Sequence, residues 1–179
     1  DAGTFTGKRE FELQAREALL FTATGRHLLP RGYYVSERPG SVYVARVAFG
    51  AKDHKTVRAL LEAESYPGPS LVIAYSHCIA HGYDLALGCE QQKLAVDSGV
   101  WPLYRFDPRR TAKGEPPMHL DYGPPKPLVA EYMRNESRFR VVERTDPERF
   151  RRFLKEAQEA ARQRYSVYQQ LAGITVPQP

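Results

Sequence analysis

One stretch constrains this chain more than any other: residues 68 to 84, GPSLVIAYSHCIAHGYD. Gly68 and Pro69 mark a turn, and Ser70 to Tyr75 follow as a compact apolar run rich in strand formers. The run stops at a small polar cluster that contains Ser76, His77, Cys78 and His81. A short apolar run without polar alternation predicts a strand buried on both faces. In an open parallel sheet the functional crevice lies beyond the carboxyl ends of the strands. Cys78 is therefore placed where chemistry would sit.

The flanking sequence predicts how that strand is carried. Residues 41 to 50, SVYVARVAFG, alternate as a strand does, with Val42, Val44 and Val47 as core contacts. From Lys55 to Tyr66, the positions Val57, Leu60, Leu61 and Glu64 recur at helical spacing, with Asp53 as the cap. Strand, helix, Gly-Pro turn and apolar strand make a βαβ unit with parallel strands. Cys89 to Val96 then reads as a short helix, with Leu94 and Val96 inward and Gly99 ending it. Residues 100 to 107 are strand-like, and Pro102 assigns them to an edge. Residues 108 to 117 read as loop, Met118 to Pro127 as a short extended piece, and Leu128 to Phe139 as one mixed helix.

The last element carries the strongest signals. Thr145-Asp146-Pro147-Glu148 combines a capping residue with a proline in the first turn. Phe150, Phe153, Leu154, Ala157, Ala161, Tyr165, Tyr168 and Leu171 then form one apolar stripe, and Gly173 ends it. At the amino terminus, Lys8 to Leu20 has helical spacing between Thr6 and Gly25, and prolines and glycines break the pattern up to Gly40. The chain is thus divided into an amino-terminal arm, residues 1–40, and an α/β domain, residues 41–179.

Charge narrows the choice of partners. The net charge of +5 comes from 26 basic against 21 acidic side chains, interspersed and without a basic tract. This argues against a nucleic-acid partner and suits an acidic protein partner. Two cysteines make no disulfide framework, and they fit a reducing cytoplasm. No apolar run approaches the roughly 20 residues that a membrane helix needs, so no membrane partner is expected.

Cys78 has two readings, a small packing residue after a strand or a metal-binding thiolate at a turn. His77 and His81 flank it, and with Cys89 they can be assembled on paper into a zinc site. Their spacing matches none of the usual paired ligand motifs, so histidines that face solvent or support a neighbouring group by hydrogen bonds are the simpler reading. Cys89 reads as a thiol packed on its helix. Arg105, Arg109, Arg110 and Lys113 form a basic loop around Tyr104 and Phe106. That loop suits either the phosphates of coenzyme A, an acidic electron carrier, or plain solvation.

YPGPSLVIAYSHCIAHG, followed by QQKLAVDSG and WPLYRFDPRR, resembles the C-terminal part of the thiamine-diphosphate-binding region of pyruvate:ferredoxin (flavodoxin) oxidoreductase. The resemblance runs from about Ser41 to about Gly173. It implies part of a Rossmann-like, thiamine-diphosphate-binding α/β fold with parallel strands and covering helices. It implies a parent chemistry too, the oxidative decarboxylation of pyruvate with coenzyme A, electrons leaving through iron–sulfur clusters to ferredoxin or flavodoxin. The cofactors implied for the parent are thiamine diphosphate, magnesium and [4Fe–4S] clusters. By the resemblance, Cys78 takes the place of a remote fourth ligand to one [4Fe–4S] cluster, and no other residue here is assigned.

The family's Gly-Asp-Gly metal-binding opening does not occur in this sequence. The chain alone is accordingly expected to be inactive and to hold no cofactor beyond one shared cluster ligand. Its partners would be the remainder of the oxidoreductase and ferredoxin or flavodoxin, with a homo-oligomer also open. The rival expectation is a truncated, non-catalytic α/β module whose residues 1–40 bind a partner or pair the chain with itself.

Overall fold

Strand β1, Tyr43–Val47, has four of its five residues buried, and the other elements are arranged around it. A computed structural model describes residues 42–175; the expected arm over residues 1–40, with its helix at Lys8 to Leu20, lies outside the described residues. After β1 come helix α1, Asp53–Glu64, strand β2, Ser70–Ala74, and two single 3₁₀ turns, Ile79–His81 and Leu85–Leu87. Helix α2, Gly88–Asp97, and strand β3, Tyr104–Phe106, follow, then a 3₁₀ turn at Pro108–Lys113 and strand β4, Met118–Leu120. Helices α3, Val129–Asn135, α4, Ser137–Thr145, and α5, Pro147–Leu171, complete the described chain.

The four strands form one sheet in the order β2-β1-β3-β4. β1 and β2 are parallel, with Tyr43 opposite Ser70 and Val47 opposite Ala74. β3 runs antiparallel to β1, and β4 antiparallel to β3. The α/β class and the parallel pair joined by a helix are as expected, and the sheet as a whole is mixed.

Two strand expectations are reversed. The apolar run Ser70–Ala74 is the edge strand among the described residues, with exposed ends and a half-buried middle. The strand buried on both faces is β1, and the expected core contacts Val42, Val44 and Val47 are all buried. Val42 and Val44 pack with Tyr104, Phe106, Met118 and Tyr168 on one side of the sheet. Tyr43, Ala45 and Val47 pack with Ala59 of α1 on the other. β3, expected at an edge because of Pro102, is internal, since the proline precedes the strand and removes no ladder donor. The outer strand on that side is β4.

Helix faces are also corrected. In α1 the buried residues are Thr56 and Ala59, whereas Val57, Leu60 and Leu61 are about half exposed or more. Small residues let the helix lie close to the sheet, and the large apolar side chains turn outward. Asp53 is the first residue of α1 and not its cap; the cap position is Lys52, with no side-chain cap bond. The expected helix at residues 128 to 139 is two helices, because Glu136 takes an extended conformation, φ −106° and ψ 128°. In α2, Val96 is buried and Leu94 only partly so, and Gly99 follows with φ +76°, a left-handed conformation that suits glycine.

In α5 the Asp146 side chain accepts a hydrogen bond from the Arg149 amide at 2.9 Å, with Pro147 in the first turn. The stripe is buried at Phe150, Ala161 and Tyr168. Phe153, expected in the core, is half-buried, and the guanidinium groups of Arg149 and Arg152 lie 5.2 and 5.6 Å from its ring centre. Phe150 packs instead with Ala95, Val129, Tyr132 and Met133. Phe150→Ala is expected to cost about 3–5 kcal/mol, the range for emptying a buried aromatic site. Phe153→Ala should cost about 1 kcal/mol, as removal of a half-buried ring does. Urea denaturation of the two variants checks this, and equal losses would contradict the assigned faces.

Candidate functional site: the Cys78 turn

The carboxyl ends of β1 and β2 lie side by side because the two strands are parallel and in register. The ladder closes with Tyr75 N donating to Val47 O at 3.0 Å. The chain then leaves β2 through Ser76, His77 and Cys78. Cys78 is extended, φ −138° and ψ 130°, and opens the Ile79–His81 turn. Its carbonyl accepts from His81 N at 3.0 Å, and its side chain is exposed. The placement of Cys78 just beyond the carboxyl end of a parallel strand is as the sequence predicts.

The base of the turn is held from three directions. Tyr75 packs edge-on against Trp101, ring centres 5.2 Å apart, and its hydroxyl pairs with that of Tyr132 at 3.2 Å. His77 uses both ring nitrogens. Nδ1 is hydrogen-bonded to the Tyr83 hydroxyl, and Nε2 lies 2.8 Å from Nε2 of Gln92, an amide donor. The tautomer assigned by this network carries its proton on Nδ1. Gln92 Oε1 in turn accepts from Gly50 N at 2.9 Å, so the loop after β1, helix α2 and the Cys78 turn are tied by one side-chain pair.

The far end of the turn is fixed to α4. Gly82, with φ +69°, has its carbonyl accepting from Ser137 N at 3.0 Å and from Ser137 Oγ at 2.6 Å. A β-carbon at Gly82 would come within 2.6 Å of Ser137 Cβ, so no other residue fits there without displacing α4. Beside this contact, Glu136 is fully buried and accepts from Gln91 Nε2 at 2.9 Å and Arg138 Nε at 2.5 Å. His81 Nδ1 lies 4.0 Å from Glu136 Oε1, too far for a hydrogen bond. The Gly82–Ser137 and Gln91–Glu136 contacts join residues more than 40 positions apart, and neither Glu136 nor Gln92 is signalled by the local sequence.

The zinc alternative does not survive this geometry, since His77 has both nitrogens engaged. Among the described residues no group of three His, Cys, Asp or Glu side chains is placed to hold a metal ion. Cys89, expected as a thiol packed on its helix, is exposed in the first turn of α2. It closely approaches the glycine beside it: a β-carbon at Gly50 would meet Cys89 Cα at 2.9 Å.

The basic loop is also reorganised. Arg105 is buried, with its guanidinium gripping Asp121 at 2.6 and 3.1 Å and contacting Glu62. Lys55 approaches the same Asp121 at 3.2 Å. Arg109 pairs with Asp107 at 2.7 Å and also donates to Ser65 O at 3.0 Å. Arg110 pairs with Glu115 at 3.2 Å. Tyr104 and Phe106 are core residues, not interleaved surface aromatics. The arginines are thus occupied within the chain. Burial would raise the Asp121 carboxyl, but the Arg105 guanidinium outweighs it and holds Asp121 below the usual carboxylate range.

No family model matches the chain. It is 56% identical over 135 residues to the pyruvate-flavodoxin oxidoreductase of Rhodospirillum rubrum, covering 75% of this chain and 11% of that protein. It is 50% identical over 139 residues to the pyruvate-flavodoxin oxidoreductase of Trichormus variabilis, covering 78% and 12%. A further relative, 39% identical over 133 residues, is the pyruvate:ferredoxin oxidoreductase of Moorella thermoacetica, covering 74% and 11%. The chain is homologous to one segment of the pyruvate-flavodoxin and pyruvate:ferredoxin oxidoreductases. It spans only about a ninth of the length of these relatives. Among the described residues no helix is long and apolar enough to cross a membrane.

Breaking the buried pair has a signed consequence. Asp121→Ala should destabilise the fold by about 3–5 kcal/mol, because Arg105 keeps a buried charge with Glu62 as its remaining close acid. Since folding lowers the Asp121 pKa, the stability it contributes is fully present above the ordinary carboxylate range and is lost as pH falls through the depressed folded value. Denaturation midpoints of wild type and Asp121→Ala should therefore draw together as the pH is taken down through and below that range. A gap that widens in acid would show that the carboxylate is not the stabilising group.

Proposed function

We propose that this α/β segment serves a pyruvate:ferredoxin/flavodoxin oxidoreductase as scaffold and as donor of one iron–sulfur ligand, Cys78. The reaction supported by the relatives' names is oxidation of pyruvate with electrons passed to flavodoxin or ferredoxin. Coenzyme A as the acyl acceptor, and the division into an arm over residues 1–40 and a domain over 41–179, belong to the same proposal. Both cysteines are free thiols, in keeping with a reducing cytoplasm.

A single observation carries the ligand role. Cys78 is an exposed thiol at the carboxyl end of the parallel pair, while the histidine before it is fully engaged in holding the turn. A [4Fe–4S] cluster needs four thiolates, and Cys78 fits as one of them, with the others supplied from the rest of the enzyme. When bound, the cluster would supply one-electron transfer. The chain's own part is positional: His77, Gln92, Tyr83 and Ser137 hold the backbone on either side of Cys78, so its Sγ is presented at a fixed place. Among the described residues no group of three His, Cys, Asp or Glu side chains is placed to hold a magnesium ion.

Electron paramagnetic resonance of the dithionite-reduced enzyme containing this segment tests the assignment. Cys78→Ser should abolish or shift the signal of one cluster, and Cys89→Ser should leave it unchanged. An unaltered spectrum in the Cys78 variant, or a loss confined to the Cys89 variant, would overturn the ligand role.

A further inference from the structure

The basic side chains of α5 fall into two groups. Some are engaged within the fold: Arg164 donates to the carbonyls of Gly99 and Val100, and Arg149 and Arg152 lie against the Phe153 ring. The others stand in a row. Arg151, Lys155, Gln158 and Arg162 follow one another at intervals of four, three and four residues, which places them on one face of the helix. Arg151, Lys155 and Arg162 are exposed, and their side chains make no hydrogen bond or ion pair among the described residues.

That row lines a groove of about 470 Å³ between α5 and the segment that enters α3. Pro127 and Ala130 supply apolar surface from the α3 side, and Leu154 supplies it from α5. Gln158 adds an unmet requirement, because its Nε2 is buried without a hydrogen-bond partner. A buried donor in that state carries a desolvation cost that an acceptor placed in the groove would remove. Glu159 is the one carboxylate in the lining, against three cations. The groove is thus apolar at its base, positive along its rim and short of one acceptor.

We propose that this groove binds an extended acidic segment of a separate protein, with carboxylates along the cation row, an apolar side chain against Leu154 and a carbonyl at Gln158 Nε2. The length of the row favours a segment over a small anion. From Arg151 to Arg162 it runs about 16 Å at roughly 1.5 Å per helical residue, which is the reach of about five extended residues at roughly 3.3 Å each. A nucleic acid is less suitable, since no aromatic side chain among the described residues lines the groove to stack a base. A second copy of this chain is disfavoured by its own net charge of +5. The docking does not rest on the Cys78 assignment, as no residue of that turn lines the groove.

The test is fluorescence anisotropy of the fluorescein-labelled peptide Glu-Glu-Leu-Glu-Glu titrated with the full chain. Saturable binding is expected, and the neutral peptide Gln-Gln-Leu-Gln-Gln should bind at least about tenfold more weakly. Arg151→Gln combined with Arg162→Gln should weaken the acidic peptide by about tenfold, the scale of two exposed ion pairs. Gln158→Leu keeps the bulk and removes the donor, and should weaken it by about three- to tenfold, the scale of one hydrogen bond. Lys93→Gln combined with Lys113→Gln makes the same change in net charge at exposed positions outside the groove, and should leave binding unchanged. Equal losses in the two double variants would show unspecific charge attraction and overturn the site, as would equal affinity for the neutral peptide. Tighter binding of oligouridylate than of the acidic peptide, lost in the Arg151 and Arg162 variant, would overturn the protein partner in favour of a nucleic acid. The peptide should also bind the Rhodospirillum rubrum enzyme carrying this chain in place of its matching segment. Loss of binding there, with pyruvate oxidation intact, would show that the enzyme itself covers the groove and would overturn a separate partner.

Discussion

The structure depends on β1 being covered from both sides. A strand in that position needs apolar side chains above and below, and YVARV supplies them with two valines, an alanine and a tyrosine. The tyrosine creates a second requirement. Tyr43 is fully buried, so its hydroxyl must find partners, and it reaches Ala59 O and Glu62 Oε2, both at 3.1 Å. Glu62 thereby enters the sheet–helix layer, and Arg105 from β3 meets it there together with Asp121. Burial alone would disfavour every one of these charges. They persist because each is satisfied by the others, which fixes the placement of α1 over the sheet more strictly than apolar packing would.

That rigidity passes to the Cys78 turn. β1 and β2 share a register, so the loop after Val47 and the turn after Ala74 start from adjacent points. Gln92 spans them by accepting from Gly50 N and donating to His77. The helix that carries Gln92 begins at Gly88, and there a β-carbon would come within 2.9 Å of His77 Nε2. The glycine is needed for this close approach of ring and helix, not for its conformational freedom.

The sequence made the βαβ unit, the long capped helix and the location of Cys78 legible, because each has a local signature. Gly-Pro followed by six apolar or small residues marks a strand, and Asp-Pro marks a helix start. Depth of burial was not legible in the same way. SLVIA reads as more buried than YVARV on hydrophobicity, yet the order in the sheet is the reverse. Strand order is decided by which partners are present, and a run of apolar residues is equally suited to a centre and to an edge that another strand covers. The same reason explains α1. Val57, Leu60 and Leu61 have helical spacing and a consistent face, but the face nearest the sheet belongs to Thr56 and Ala59, whose small side chains a hydrophobicity pattern undervalues. At Glu136, a charged residue in a helical pattern reads as surface, and only the distant partners Gln91 and Arg138 explain its burial.

Two of these misreadings share a direction. At the β2 edge and on α1, the sequence predicts burial where the described residues show exposure, so apolar surface is left over on one strand edge and on the helix that covers it. A chain selected to stand alone would be expected to carry charges there, because an exposed apolar edge invites aggregation. The surplus lies on the open side of the sheet among the described residues. Cys78, too, is exposed, at a turn whose backbone is anchored on both sides through His77 and Gly82.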